Sequence, residues 1–188
     1  MQEQRFPDIS RPVFTNNTCS TLIQSDAAWR EDLQLAGLGW TFSGQDIRAS
    51  FLAHCHFVNS PIVAEGLALR EALACGIEKG LRQVRCESDS SKLITAINKG
   101  SPVAEIYGIV ADIRCLALAF DSISFCWIQR SRNKDADALA KQALWNESIV
   151  IAPSNINTIK TEGSFLRCPF VSTVFTILCH WIIFKLCF

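Results

Sequence analysis

The stretch TLIQSDAAW, residues 21–29, decides how this chain is read. Its apolar residues stand just before an acidic one, so it reads as a strand ending at Asp26. The polar break WREDLQ separates it from LAGLGWTFS, residues 35–43, a strand-like run that holds Gly37 and Gly39. A third run rich in apolar and aromatic residues, RASFLAHCHFV, follows at 48–58. Three short strands joined by short polar breaks predict an antiparallel meander.

Beyond the meander the period changes. A helix is predicted from Pro61 to Gly80, with Ser60 as its cap and Pro61 in its first turn. At 100° per residue, Ile62, Leu69, Leu73, Gly76 and Ile77 share one face. Glu65 lies on that same side, whereas Glu71 and Glu78 point away. LRQVRCESD then alternates into a short strand with Asp89 at its end. SSKLITAINKG reads as a short helix closed by Gly100, and SPVAEIYGIVADIRCLALAF as another, capped by Ser101. SISFCWIQR is a last strand and NKDADALAKQALW a closing helix. This order predicts an α/β layer architecture, a mixed sheet with helices packed on it.

The flanks differ in character. Residues 1–20, with Pro7, Pro12 and a polar NNT run, read as a linker or extension. The domain is expected over 21–147, followed over 148–188 by a loop and an apolar tail. The tail CPFVSTVFTILCHWIIFKLCF carries His180 and Lys185 within its apolar run. A spanning helix takes about 20 mainly apolar residues. Three readings of the tail stay open: a membrane anchor, an element packed on the domain, and an unselected C-terminus, the last being preferred.

Composition narrows the classes. The 188 residues carry zero formal net charge, with a pI near 6.8. That excludes the general basic footprint of a tight, non-specific nucleic-acid binder. Nine cysteines are scattered with no C-x-x-C pair and no zinc-like spacing. Reduced core thiols in an intracellular protein are expected. The polar N-terminus has no apolar h-region, so secretion is not expected. The nucleus or cytoplasm is the default compartment, and a monomer the expected state.

Four carboxylates carry the chemistry: Asp26, Glu65, Asp89 and Asp137. Each stands at a strand end or on a helix that should cover the sheet. Gathered acidic groups are costly unless a positive charge sits among them. Hard divalent cations with oxygen ligands are the natural occupants. Two metals about 4 Å apart are the usual clamp for attack on a phosphodiester. The pattern points to a metal-dependent nuclease.

SDAAW, AGLGW, AEGLALREAL, ESDSSKLI and RSRNKDADALAK, in that order over about 22–147, resemble the ribonuclease H type 1 domain. The form is that of plant proteins related to non-LTR retroelements. The resemblance implies a ribonuclease H-like fold: a five-stranded mixed sheet, three antiparallel strands and then strand–helix alternation, with helices on both faces. It implies an acidic quartet of Asp26, Glu65, Asp89 and Asp137, both catalytic and metal-ligating. Asp135 is a rival for the last place; Asp137 is preferred because Asn133 stands four residues before it. The implied reaction is hydrolysis of the RNA strand of an RNA–DNA hybrid with two Mg²⁺ ions, Mn²⁺ being able to substitute, and no small-molecule cofactor. Ala27, Ala28 and Ser90 would read the minor groove, and Trp29 would stack on a sugar or base. Arg130 and Asn133 join these as nucleic-acid-binding residues. The alternative is a weak or inactive nucleic-acid-binding module, a retroelement relic.

One departure bears on rate. Bacterial and retroviral members carry a His before the last helix, and CWIQRSRN has none; Trp127 stands near its place. A slower enzyme with intact metal binding is expected. His54 and His56 share one strand face, with Cys55 between, and a solvent-side or structural role is expected for both. Arg70, Lys79, Arg82 and Arg85 are read as a solvated face rather than a binding rim.

Overall fold

A computed structural model of the protein describes residues 20–100 and 103–151. All belong to the first of two units of the chain, Met1–Ser154; the second, Asn155–Phe188, lies outside them. The expectations for residues 1–19, for Ser101 and for the apolar tail therefore fall outside the described residues.

The meander forms as β1 (Thr21–Arg30), β2 (Leu35–Ser43) and β3 (Arg48–His56). Helix α1 (Pro61–Glu78) follows, then β4 (Gln83–Ser88) and α2 (Ser91–Lys99). A short 3₁₀ turn leads into α3 (Tyr107–Ala117), before β5 (Ser122–Trp127) and α4 (Lys134–Ile151). The sheet order is β3-β2-β1-β4-β5. β1 pairs antiparallel with β2, and β2 with β3; β1–β4 and β4–β5 are parallel. The sheet is therefore mixed and five-stranded, as expected.

Local chemistry accounts for the ends of α1 and α2. The Ser60 hydroxyl accepts from the Val63 amide at 3.4 Å, satisfying one of the orphan donors of α1. Gly100 takes the left-handed conformation (φ 64°) that closes α2. α1 is buried on more than the predicted stripe, because it lies between sheet and α3. Ala64, Gly66, Ala68 and Ala72 are buried beside Leu69, Leu73 and Gly76, while Ile62 and Ile77 are only half-buried.

β2 is buried at every position from Leu35 to Phe42. A strand sealed on both parities must have a layer on each side. On one side Phe42 and Trp40 pack with Phe51, at ring-centroid distances of 5.2 and 5.8 Å. On the other side lies α4, closer than any side chain would allow. A Cβ added to Gly39 would stand 2.5 Å from the Ala136 carbonyl, and one on Gly37 would overlap the backbone of Ala140 and Leu144. These two glycines let the helix backbone rest directly on the strand.

Several boundaries differ from expectation: α3 begins only at Tyr107 and ends at Ala117, and β5 stops at Trp127 rather than running to Arg130. β1 does not end at Asp26 but runs to Arg30, because Asp26, Ala27, Ala28, Trp29 and Arg30 all pair with β2. α4 continues past Trp145 to Ile151, into the stretch read as a loop. Nothing between Trp145 and Ile151 breaks a helix, and the first breaker in sequence is Pro153. The domain accordingly reaches past its expected end at 147.

Candidate metal centre

The site arises from a mismatch in strand length. β4 pairs with β1 only as far as Gln24↔Glu87, while β1 continues along β2 for six more residues, Ser25 to Arg30. Past that point the β4 side of β1 has no strand beside it. Asp26 lies in this gap, and Asp89 follows the last residue of β4. The gap is at the carboxyl ends of two parallel strands, where open α/β sheets bind ligands. Glu65 is brought in from α1 and Asp137 from the first turn of α4.

Carboxylate oxygens of Asp26, Glu65 and Asp89 all lie within 4.8 Å of one another. Asp26 is 2% exposed. Its Oδ1 accepts from the Ala27 amide at 2.8 Å, but its Oδ2 and the Oε2 of Glu65 are buried without a hydrogen-bond partner. Orphaned buried acceptors of one sign are unfavourable alone. Burial first, and then the charge of Asp89, raises the Asp26 carboxyl to about 6. Burial, and then Asp26 and Asp89, raises Glu65 to about 9. In the metal-free site the two neighbouring carboxyls together therefore hold protons more tightly than isolated acids do. The donor set, hard oxygens crowded around a gap, fits a divalent cation of the Mg²⁺ type.

Asp137 stands apart from this trio. It accepts from Lys141 at 2.6 Å and from Arg130 at 3.3 Å. Burial pulls its carboxyl upward, but these two cations outweigh it and hold it below the usual range. Its charge nonetheless acts on Asp26. Asp135, the rival, is exposed at the start of the helix. Arg130 faces the whole cluster: its bond to Asp137 and the charges of Asp26, Asp89 and Asp137 raise its affinity for its proton.

The remaining expected residues separate. Trp29 is in β1 rather than in a loop, and its indole N–H is used on the Val58 carbonyl at 2.8 Å. Asn133 is fully buried; its side-chain amide donates to the Ser25 carbonyl at 2.9 Å and ties the start of α4 to β1. It is a positioning group, not a surface that nucleic acid can touch, so that expectation is corrected. Ala27 and Ala28 are half-buried on β1, and Ser90, also half-buried, caps α2 with no side-chain bond to it. The basic rim is largely neutralised: Arg70 pairs with Glu71 and Asp112, Arg85 with Glu87, and Arg82 with Asp121. Cys75 and Cys86 are buried as expected, but Cys115 is exposed.

Sequence reading missed three groups here. Lys141 stands four residues after Asp137 on a helix, a spacing that makes them neighbours and was legible. Glu87 is a buried carboxylate held by Arg85 at 3.0 Å and Gln24 at 3.1 Å. Trp127 donates its indole N–H to the Asp89 carbonyl at 3.0 Å, fixing the backbone at the site. No local signal announces that last bond.

This arrangement of sheet and helices defines a ribonuclease H fold. The solved structures it resembles include RNase H1 of the halophilic archaeon Halobacterium salinarum, 24% identical, with a TM-score of 0.63 over 68% of this chain and 98% of that one. The N-terminal RNase H domain of a Mycobacterium tuberculosis protein is 21% identical, with a TM-score of 0.64 over 72% of this chain and all of that one. LC11-RNase H1, solved in complex with an RNA/DNA hybrid, is 20% identical, with a TM-score of 0.61 over 69% of this chain and 99% of that one. The chain itself belongs to the reverse transcriptase-like family, whose model matches residues 24–143. No curated protein sequence matches it.

Proposed function

We infer that the domain hydrolyses the RNA strand of RNA–DNA hybrids. The observation that carries this is the convergence of Asp26, Glu65 and Asp89 at the gap beyond the end of β4. Asp26, Glu65 and Asp89 would hold divalent metal, with Asp137 at the rim. Bound Mg²⁺ or Mn²⁺ would supply a water of lowered pKa and charge stabilisation for the leaving oxygen. The chain's own residues do the rest. Asp26 and Glu65 bring buried oxygens with no hydrogen-bond partner, left free to ligate, while the Ala27 amide holds the other oxygen of Asp26. Trp127 steadies the Asp89 backbone, and Asn133 locks α4 against β1. Arg130, mostly exposed beside the acids, is placed to meet a phosphate. The hybrid in the LC11-RNase H1 structure and the family match support this substrate class.

The absence of a His from the segment before α4 favours a second reading, a domain that binds hybrid with little turnover. One experiment separates the two. The full chain is incubated with end-labelled hybrid in Mg²⁺, in Mn²⁺ and in chelator, beside Asp89→Asn. Cleavage of the RNA strand alone, lost in chelator and in Asp89→Asn, supports the enzyme. Retained hybrid binding without cleavage by the unaltered chain supports the second reading and overturns the first.

A further inference from the structure

A second set of ligand-type side chains lies away from the carboxylates. His54 and His56 are two apart on β3, so both imidazoles leave the same face of the strand. Glu147, three turns along α4 from Asp137, arrives over them. Its Oε2 is 3.5 Å from His54 Nε2 and its Oε1 is 3.2 Å from His56 Nε2. The two rings meet edge to face with centroids 5.4 Å apart. One ligand atom from each of the three residues can be chosen so that all lie within 4.8 Å of one another.

The fold builds this convergence. His54 pairs with Gly37 and His56 with Leu35 across β2–β3. Gly37 is where the α4 backbone comes down on β2, and this holds the later turns of the helix close over β3. The imidazoles are partly exposed and Glu147 is largely covered, so the cluster opens to solvent on one side.

The geometry points to a zinc site formed by His54, His56 and Glu147. Tetrahedral zinc with ligands at about 2.0–2.1 Å sets neighbouring ligand atoms about 3.4 Å apart. Each imidazole nitrogen lies about that far from one oxygen of the carboxylate, His56 at 3.2 Å from Oε1 and His54 at 3.5 Å from Oε2, and a set of one ligand atom per residue lies within 4.8 Å, so a small shift of the side chains would bring all three onto one ion. Two imidazoles and one carboxylate form a ligand set that zinc uses with a water in the fourth position. Imidazole nitrogen suits zinc, whereas Mg²⁺ takes oxygen, so the two sites select different ions. β3 is an edge of the sheet, and a metal held there would pin that edge to α4. The proposal stands apart from the nuclease reading, because none of these residues belongs to the carboxylate cluster.

The test is calorimetric titration of the full chain with Zn²⁺ in millimolar Mg²⁺ under reducing conditions. A saturable zinc site is expected, weakened at least tenfold in His54→Gln, in His56→Gln and in Glu147→Gln, and unchanged in Asp26→Asn and in His180→Gln. In the unaltered chain, the imidazole NMR signals of His54 and His56 are expected to shift as Zn²⁺ is added, a readout that needs no variant to fold. Hybrid cleavage in Mg²⁺ is expected to be unchanged in His56→Gln. No zinc uptake, uptake that survives His54→Gln and His56→Gln, or imidazole signals that stay in place would each overturn the site.

Discussion

Two trios of ligand-type side chains lie toward the two ends of the same long helix and are built on opposite terms. Near its first turn, Asp26, Glu65 and Asp89 are one sign of charge, and one oxygen each of Asp26 and Glu65 is buried with no hydrogen-bond partner. Near its last turns, His54, His56 and Glu147 are mixed in type, partly open to water, and already bonded to one another. The first trio crowds like charges into a buried place; the second pairs two imidazoles with a carboxylate at the surface. A cluster that costs stability and still stands is the stronger pointer to function.

The sharpest way to break this contrast is at the carboxylates. Asp89→Asn or Asp26→Asn should reduce metal-dependent cleavage by more than the roughly 10–100-fold that loss of an outer-shell partner costs. Hybrid binding by gel shift should survive. Cleavage that persists in either variant would remove the trio from the mechanism.

The shared helix comes next. Gly39→Ala puts a methyl group against the Ala136 carbonyl at 2.5 Å, in backbone that cannot swing aside. Overpacking of this kind should cost about 3 kcal/mol in urea denaturation, and both trios should loosen together. A cost below about 0.5 kcal/mol would mean that α4 is not seated by the glycines, since changes that small are typical of surface positions.

The cost of this crowding can be measured directly. The folded Asp26 carboxyl titrates at about 6, above its ordinary value of 3.8, and Glu65 at about 9 rather than 4.5. For a raised carboxyl the stabilising contribution is complete below the unfolded value and is lost as pH climbs through the folded one. In chelator, stability should therefore fall from about pH 4 through 6 and on toward 9. Asp26→Asn should stabilise the metal-free protein on the order of 2 kcal/mol at pH 8 and make little difference at pH 4. Mg²⁺ should restore the unaltered chain and not the variant. A flat profile would mean that the cluster is not strained.

Smaller effects sharpen the comparison. Trp127→Phe removes the bond to the Asp89 carbonyl and should lower cleavage about tenfold while raising the Mg²⁺ needed for half-maximal rate. At the second trio, His54→Gln without zinc should change stability by less than about 0.5 kcal/mol, the scale of an exposed ion pair. A larger loss in zinc-free buffer would show that this cluster too carries the fold.

The order of elements was legible because hydrophobic period is local. The run from Leu35 to Ser43 and the helix start at Pro61 match the observed elements, and Ser60 and Gly100 act as the predicted caps. Ends were legible only where a breaker marked them. β1 overran Asp26 because its pairing partner, not its own residues, sets its length. α4 overran Trp145 because no glycine or proline stops it there. Asn133 reads as a nucleic-acid-binding residue because nothing in NKDAD signals that its amide is needed by Ser25, 108 residues away.

The sequence by itself determined the alternation of strands and helices, the four carboxylates and their local settings, and the two histidines sharing a strand face. Those features depend on neighbours within a few residues. Only the tertiary structure decided that β1 outruns β4 and so opens a gap at Asp26, that Asp137 is drawn off by Lys141 and Arg130, and that Glu147 reaches two imidazoles. His56 and Glu147 are 91 residues apart, and their meeting follows from glycines that let one helix rest on one strand. Burial, and with it the field at each carboxyl, is a property of that packing and of no segment alone.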